Sequence, residues 1–297
     1  MLTGLVAPLR RIATDQASPR VVGMVRIGLG FAAVLRGFEA VRVLRPLTAP
    51  DVINFPWFEG LPTLSGPIVT TILALWLSSA AMFMFGLWSR ASGALLCAVM
   101  AASILLEQQA YSNHLYLLTL LVAMFVMTNP GAALSIDAVR RRRSALPPPE
   151  SVDAWPLFLM KLQVTTVYLF AAITKLNPEF VSGRVLRVHM GAGLVSMPES
   201  LQVPGFLSPL AILAVTTELI IAVFLWRRRL RVVAVVAGIG LHLSIALFMA
   251  PLLQLIVFGV VMVSAYGLFF ASVRVDEVVD ELSDPEAESA GRFASAA

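Results

Sequence analysis

The 297-residue chain is 58% hydrophobic and 13% charged, about half the share of roughly a quarter usual in soluble proteins, and its net charge is +4. A mean hydropathy of +0.84 and repeated apolar runs of about 20 residues exclude a soluble domain and give an all-α class, a polytopic integral membrane helical bundle. The arginines cluster in loops, as orientation in a membrane requires, so nucleic acid is excluded as a partner; the lone Cys97 permits neither an intrachain disulfide nor a cysteine metal cluster.

Taken in order, residues 1–20 carry too little apolar length for a cleavable signal peptide and are expected to form a cytoplasmic segment. The transmembrane domain then covers 21–271 with about eight spans: 21–44, 67–88, 91–107, 113–128, 156–176, 207–226, 230–249 and 251–271. The third and fourth spans are short and only Pro251 divides the last two, so six or seven crossings stay open. Residues 272–297 form an acidic, partly disordered cytoplasmic tail.

Loop charge orients the chain. Arg10, Arg11 and Arg20, then Arg90, Arg140 to Arg143, the Arg227–Arg231 cluster and Arg274 all fall on one side of an eight-span arrangement. By the positive-inside rule that side is cytoplasmic and holds both termini, in a plasma or bacterial inner membrane. The opposite side then carries two loops, the proline- and aromatic-rich 45–66 and the longer 179–206, in which GRVLRVHMGAGL reads as a surface helix.

The fifth span, WPLFLMKLQVTTVYLFAAITK, carries Lys161, Tyr168 and Lys175 at intervals of seven, with Thr165 beside them. Seven residues is nearly two helical turns, so these side chains share one face. Lipid cannot satisfy such a stripe, which therefore faces other helices or a cavity. Asn177-Pro178 ends the helix. The other reading is that Lys175 snorkels to the headgroups. Topology brings His114, at the start of the fourth span, to the same surface as Lys175. Arg36 and Glu39 share a face of the first span, as a structural ion pair or as part of a polar path. Glu218 and His242 both lie near mid-bilayer, about 16–18 Å deep at 1.5 Å per residue, and are expected to pair with each other, as a bond locking two helices or as a proton relay or polar lining to a ligand cavity. The three histidines, His114, His189 and His242, lack HExxH or i, i+4 spacing, so no metal site is expected. Gly28, Gly30, Gly238 and Gly240 read as helix-packing positions.

Several motifs, in this order, carry a resemblance. They are RIGLGFAAVLR (26–36), GLWSRASGALL (86–96), YSNHLYLLTLL (111–121), SIDAVRRRR (135–143), the fifth-span sequence through Gly183, and LHLSIALF (241–248). Together they resemble the membrane domain of vitamin K-dependent gamma-carboxylase and its bacterial HTTM-domain relatives over about residues 20–270. The resemblance implies a reduced quinone of menaquinone or vitamin K type as cofactor, with oxygen and carbon dioxide as co-substrates. It places Lys175 at the position of the base that deprotonates the quinol, and His114 at that of the histidine supporting the reacting oxygen. Tyr168, Asn113, Glu218, His242 and Arg36 fall around the cofactor. The implied reaction couples quinol oxidation to modification of a small exported or membrane-associated peptide. Thr174 and Phe180 depart from the family's lysine and tryptophan, and the substrate-recognising domain of the animal enzyme has no counterpart in the sequence. A non-catalytic membrane maturation or assembly factor, and a small-molecule or ion transporter, remain the alternatives.

Overall fold

The computed structural model describes residues 15–190, 194–249 and 252–271. The expectations for residues 1–14, for Arg10, Arg11 and Arg274, for the tail from 272 and for Pro251 lie outside the described residues. Eight longer helices form the bundle: α1 (Pro19–Leu44), α2 (Gly66–Phe85), α3 (Ser89–Leu106), α4 (Asn113–Val126), α6 (Trp155–Lys175), α9 (Pro204–Phe224), α10 (Arg231–Phe248) and α11 (Leu252–Tyr266). Three shorter helices lie in the connections: α5 (Ile136–Arg143), α7 (Pro178–Val181) and α8 (Arg184–His189). A two-residue ribbon, Gln16–Ala17 against Val152–Asp153, ties the chain before α1 to the chain before α6.

Local chemistry sets these boundaries. Proline opens α1, α2, α6, α7 and α9, where its missing N–H costs nothing. Gly86 ends α2 at φ +69°, a left-handed conformation that favours glycine. Ser112 and Ser135 cap α4 and α5 by accepting from the N–H groups of Leu115 and Ala138.

Among the described residues, seven helices are long and apolar enough to cross a membrane; Asn113–Val126 is shorter. At 14 residues, α4 spans only about 21 Å of a hydrocarbon core of roughly 30 Å. The expected span to 128 is completed differently. The chain after α4 folds into the protein, with Gly131 and Ala132 buried. There the fully buried Arg26 of α1 donates to the carbonyls of Pro130 (2.7 Å), Leu134 (2.5 Å) and Ala133 (3.3 Å). Irregular backbone at membrane depth is tolerated because protein donors replace water. Arg26 was not singled out from the sequence.

Each long helix packs against the next, and α11 returns against α1, so the bundle closes on itself. Gly28 and Gly30 are close-approach positions, against Ser264 of α11 and Met84 of α2. Two ends result. The basic end holds the ribbon, α5 with Arg140 to Arg143, and Arg227 to Arg231; its α2–α3 turn is latched by Asp137, which accepts from the N–H of Trp88 (2.9 Å) and both the N–H (2.8 Å) and hydroxyl (2.6 Å) of Ser89. Burial works against the Asp137 carboxylate, but these bonds and the Arg140 guanidinium outweigh it and hold the carboxyl below its ordinary range. The far end holds the 45–65 loop, pinned where buried Glu107 accepts from the Phe55 N–H, together with α7, α8 and residues 194–203.

Candidate functional site

The polar stripe of α6 faces the bundle along its whole length. From the basic end upward, Lys161 lies 5.9 Å from the Phe269 ring, and Thr165 accepts from the Trp226 indole N–H at 2.8 Å. The buried Tyr168 hydroxyl bonds His242 Nε2 at 2.7 Å and also bonds the Tyr266 hydroxyl. At the far end Lys175 Nζ donates to Glu218 Oε1 at 2.5 Å. Lys175 is therefore turned inward to a carboxylate rather than outward to headgroups.

Glu218 and His242 do not form the pair expected from their depths. Glu218 bonds Lys175, and His242 bonds Tyr168. The reason lies in α9, whose first turns rise beyond the end of α6 and pack against α7 and α8. Glu218 is 14 residues into α9, about 21 Å along it, and this is the level that the Lys175 side chain reaches.

Tyr266 escaped the sequence reading. It looks like an interfacial aromatic at the end of an apolar helix, but it is buried, its ring stacked 6.3 Å from that of Tyr168. The signal was Gly238, where any Cβ would collide with the Tyr266 hydroxyl. Phe258 was also missed; its ring lies between those of His114 (4.4 Å) and His242 (5.1 Å).

The remaining sequence candidates divide. His114 reaches the cluster through Phe258, within electrostatic range of His242. Arg36 is paired with Glu39 and donates to Ser112 Oγ at 3.1 Å, beside His114. Asn113 is exposed and accepts from the Tyr111 hydroxyl at 2.9 Å, away from the cluster. Among the described residues no group of three metal-ligating side chains occurs.

A cavity of about 680 Å³ lies between α9, α10, Met190 and residues 195–201, with Lys175 and Glu218 in its wall. Its other surfaces are mostly apolar, among them Phe180, Met190, Met197, Leu210 and Phe248. Among the described residues, the buried Glu218 Oε2 in this wall, and His242 Nδ1 and His114 Nδ1 in the neighbouring cluster, have no hydrogen-bond partner. A buried polar atom left unpaired costs about 1–3 kcal/mol, so an orphan carboxylate oxygen in a cavity wall marks a place for a donor.

Comparison with known families matches the chain to the HTTM domain over residues 14–273. No match among solved structures was found.

Proposed function

Because the chain belongs to the HTTM-domain family, we propose that it is a membrane-embedded enzyme of the vitamin K-dependent carboxylase type. Its substrate would be a small exported or membrane-associated peptide. The observation that carries this reading is the Lys175–Glu218 pair set into the wall of an apolar cavity. Cavities of roughly 300–1,000 Å³ with a few placed polar groups are the usual form of a small-molecule site.

The residues fit a reduced quinone. The apolar lining suits its ring and tail, and Glu218 Oε2 is an acceptor with no donor of its own among the described residues. Bound there, a reduced quinone supplies an acidic hydroxyl and two electrons for oxygen, with carbon dioxide as second co-substrate where carboxylation is retained.

The chain's part is to receive and hold a proton. Lys175 and Glu218, 2.5 Å apart, share one proton between them, as ammonium and carboxylate or as amine and acid. Turnover uses the amine form, in which Lys175 offers its nitrogen to an incoming hydroxyl and Glu218 holds it in place. Tyr168 and His242 form a second hydrogen-bonded set, with the Phe258 ring between those of His242 and His114. They can steady charge near the pair without lining the cavity. The basic end then faces the cytoplasm, placing the site in the far half of the membrane.

The test is direct. Purified protein should consume reduced menaquinone and oxygen and release quinone epoxide. Lys175→Arg keeps the charge but cannot usefully give up its proton, so it should abolish turnover without unfolding the protein. Lys161→Arg should be nearly silent. A fully active Lys175→Arg would leave Lys175 a structural cation and favour the assembly-factor reading.

A further inference from the structure

The wall of the cavity is not uniform. On its far-end side it is roofed. The Val195 N–H donates to the Leu247 carbonyl at 2.9 Å, Met190 bridges Met249, and Met197 is buried beneath. Between α9 and α10 the wall thins to Ala214, Thr217, Ala237, Gly240 and Ser244. Gly240 and Ser244 are exposed, as is the neighbouring Leu213 at 59%. Gly240 is the tenth of the 18 residues of α10, and the side chains exposed beside it are apolar, Val236, Ile239 and Leu243, a surface that suits lipid rather than water.

The two glycines of α10 differ. A Cβ at Gly238 would strike Tyr266, whereas at Gly240 it would find nothing within 4 Å. Gly238 is a packing glycine. Gly240, expected to be one, instead leaves a gap in a helix–helix seam. Small residues alone would mean only close packing, but here the helices do not fill the space they leave. The cavity behind the seam also holds Glu218, whose side chain is 7% exposed and whose Oε2 lacks a donor.

We propose that the α9–α10 seam at Gly240 is a lateral portal that passes the apolar tail of a membrane-dissolved amphiphile whose hydroxylated head sits at Lys175–Glu218. This rests on the function proposed above and extends it. It assigns the tail a path through the bilayer side of the bundle and gives a reason for the site to prefer a tailed ligand over its bare head group. An acyl chain of an ordinary phospholipid is the competing occupant.

The probes are menaquinone-4, which carries an isoprenoid tail, and menadione, the same ring without one, both held in their reduced hydroquinone forms under anaerobic conditions. Their equilibrium binding is measured on the purified full chain in detergent micelles. Gly240→Phe plugs the seam. Gly240→Ala adds only the Cβ that meets open space, and Gly205→Phe adds the same bulk at another open position outside the cavity lining. Folding is checked by melting temperature and gel filtration. Gly240→Phe should weaken menaquinone-4 binding at least ten-fold and menadione less than two-fold, with the other two variants unchanged. If Gly240→Phe unfolds the chain, Gly240→Leu takes its place under the same criterion. Equal loss for both probes would make Gly240 part of the head pocket and overturn the portal. No loss for either would overturn it too, and would assign the seam to phospholipid. A wild-type chain that binds neither probe would instead sink the quinone reading itself.

Discussion

The coupling between Lys175 and Glu218 can be estimated and then measured. At 2.5 Å and an effective dielectric constant of about 20, the gross Coulomb attraction is about 6–7 kcal/mol. Desolvation offsets much of it, and the offset is incomplete because the Lys175 side chain is 29% exposed while that of Glu218 is 7% exposed. Exposed pairs couple by about 0.2–1 kcal/mol and breaking a buried pair costs about 3–5, so a half-buried pair should couple by about 2 kcal/mol. The cycle uses Lys175→Met, Glu218→Gln and the double variant, unfolded in mixed micelles under conditions where unfolding is reversible. The double variant should lose less stability than the sum of the two single losses predicts. Glu218→Gln paired with His242→Gln should stay additive within about 0.5 kcal/mol, because those residues bond different partners. A Lys175–Glu218 coupling below about 0.5 kcal/mol would refute the reasoning, and with it the idea of a proton shared between them.

Arg26→Met orphans the carbonyls of Pro130, Ala133 and Leu134; at about 1–3 kcal/mol each it should cost at least about 3 kcal/mol in the same unfolding assay. Asp137 has a carboxyl held below its ordinary range, so its contribution is complete above the unfolded value of about 3.9 and is lost as pH falls through the lower folded value. Asp137→Asn should therefore flatten the acid limb of the stability profile below about pH 4 while the wild type keeps it. For orientation, cysteines at the exposed Glu59 and Glu199, in a Cys97→Ser background, should react with an impermeant thiol reagent on intact cells; labelling at Ser144 instead would invert the topology.

What the sequence disclosed, and what it hid, follows from which quantities are local. Span limits were legible because hydropathy and prolines act within a few residues: the expected 21–44 and 91–107 are Pro19–Leu44 and Ser89–Leu106. The inward face of α6 was legible because seven-residue spacing fixes a face without reference to any neighbour. The partners on that face were not. Depths counted from helix ends assume that all helices start at one surface, and α9 starts well beyond the end of α6, so Glu218 meets Lys175 and not His242. Arg26 and Tyr266 were hidden for a related reason. A single arginine or tyrosine near a span end usually snorkels to the interface, and only tertiary packing turns it inward, toward a helix-poor loop for Arg26 and toward Tyr168 through the gap at Gly238 for Tyr266. Polar residues inside a membrane protein thus announce that they have partners, since lipid supplies none. The identity of each partner depends on helix offsets that no local pattern encodes. At Lys175 and Glu218 the offset does more than pair two charges: it sets both residues in the wall of a cavity and leaves Glu218 Oε2 without a donor among the described residues, and it is that open valence, as much as the lysine itself, on which the proposal of a proton-donating ligand rests.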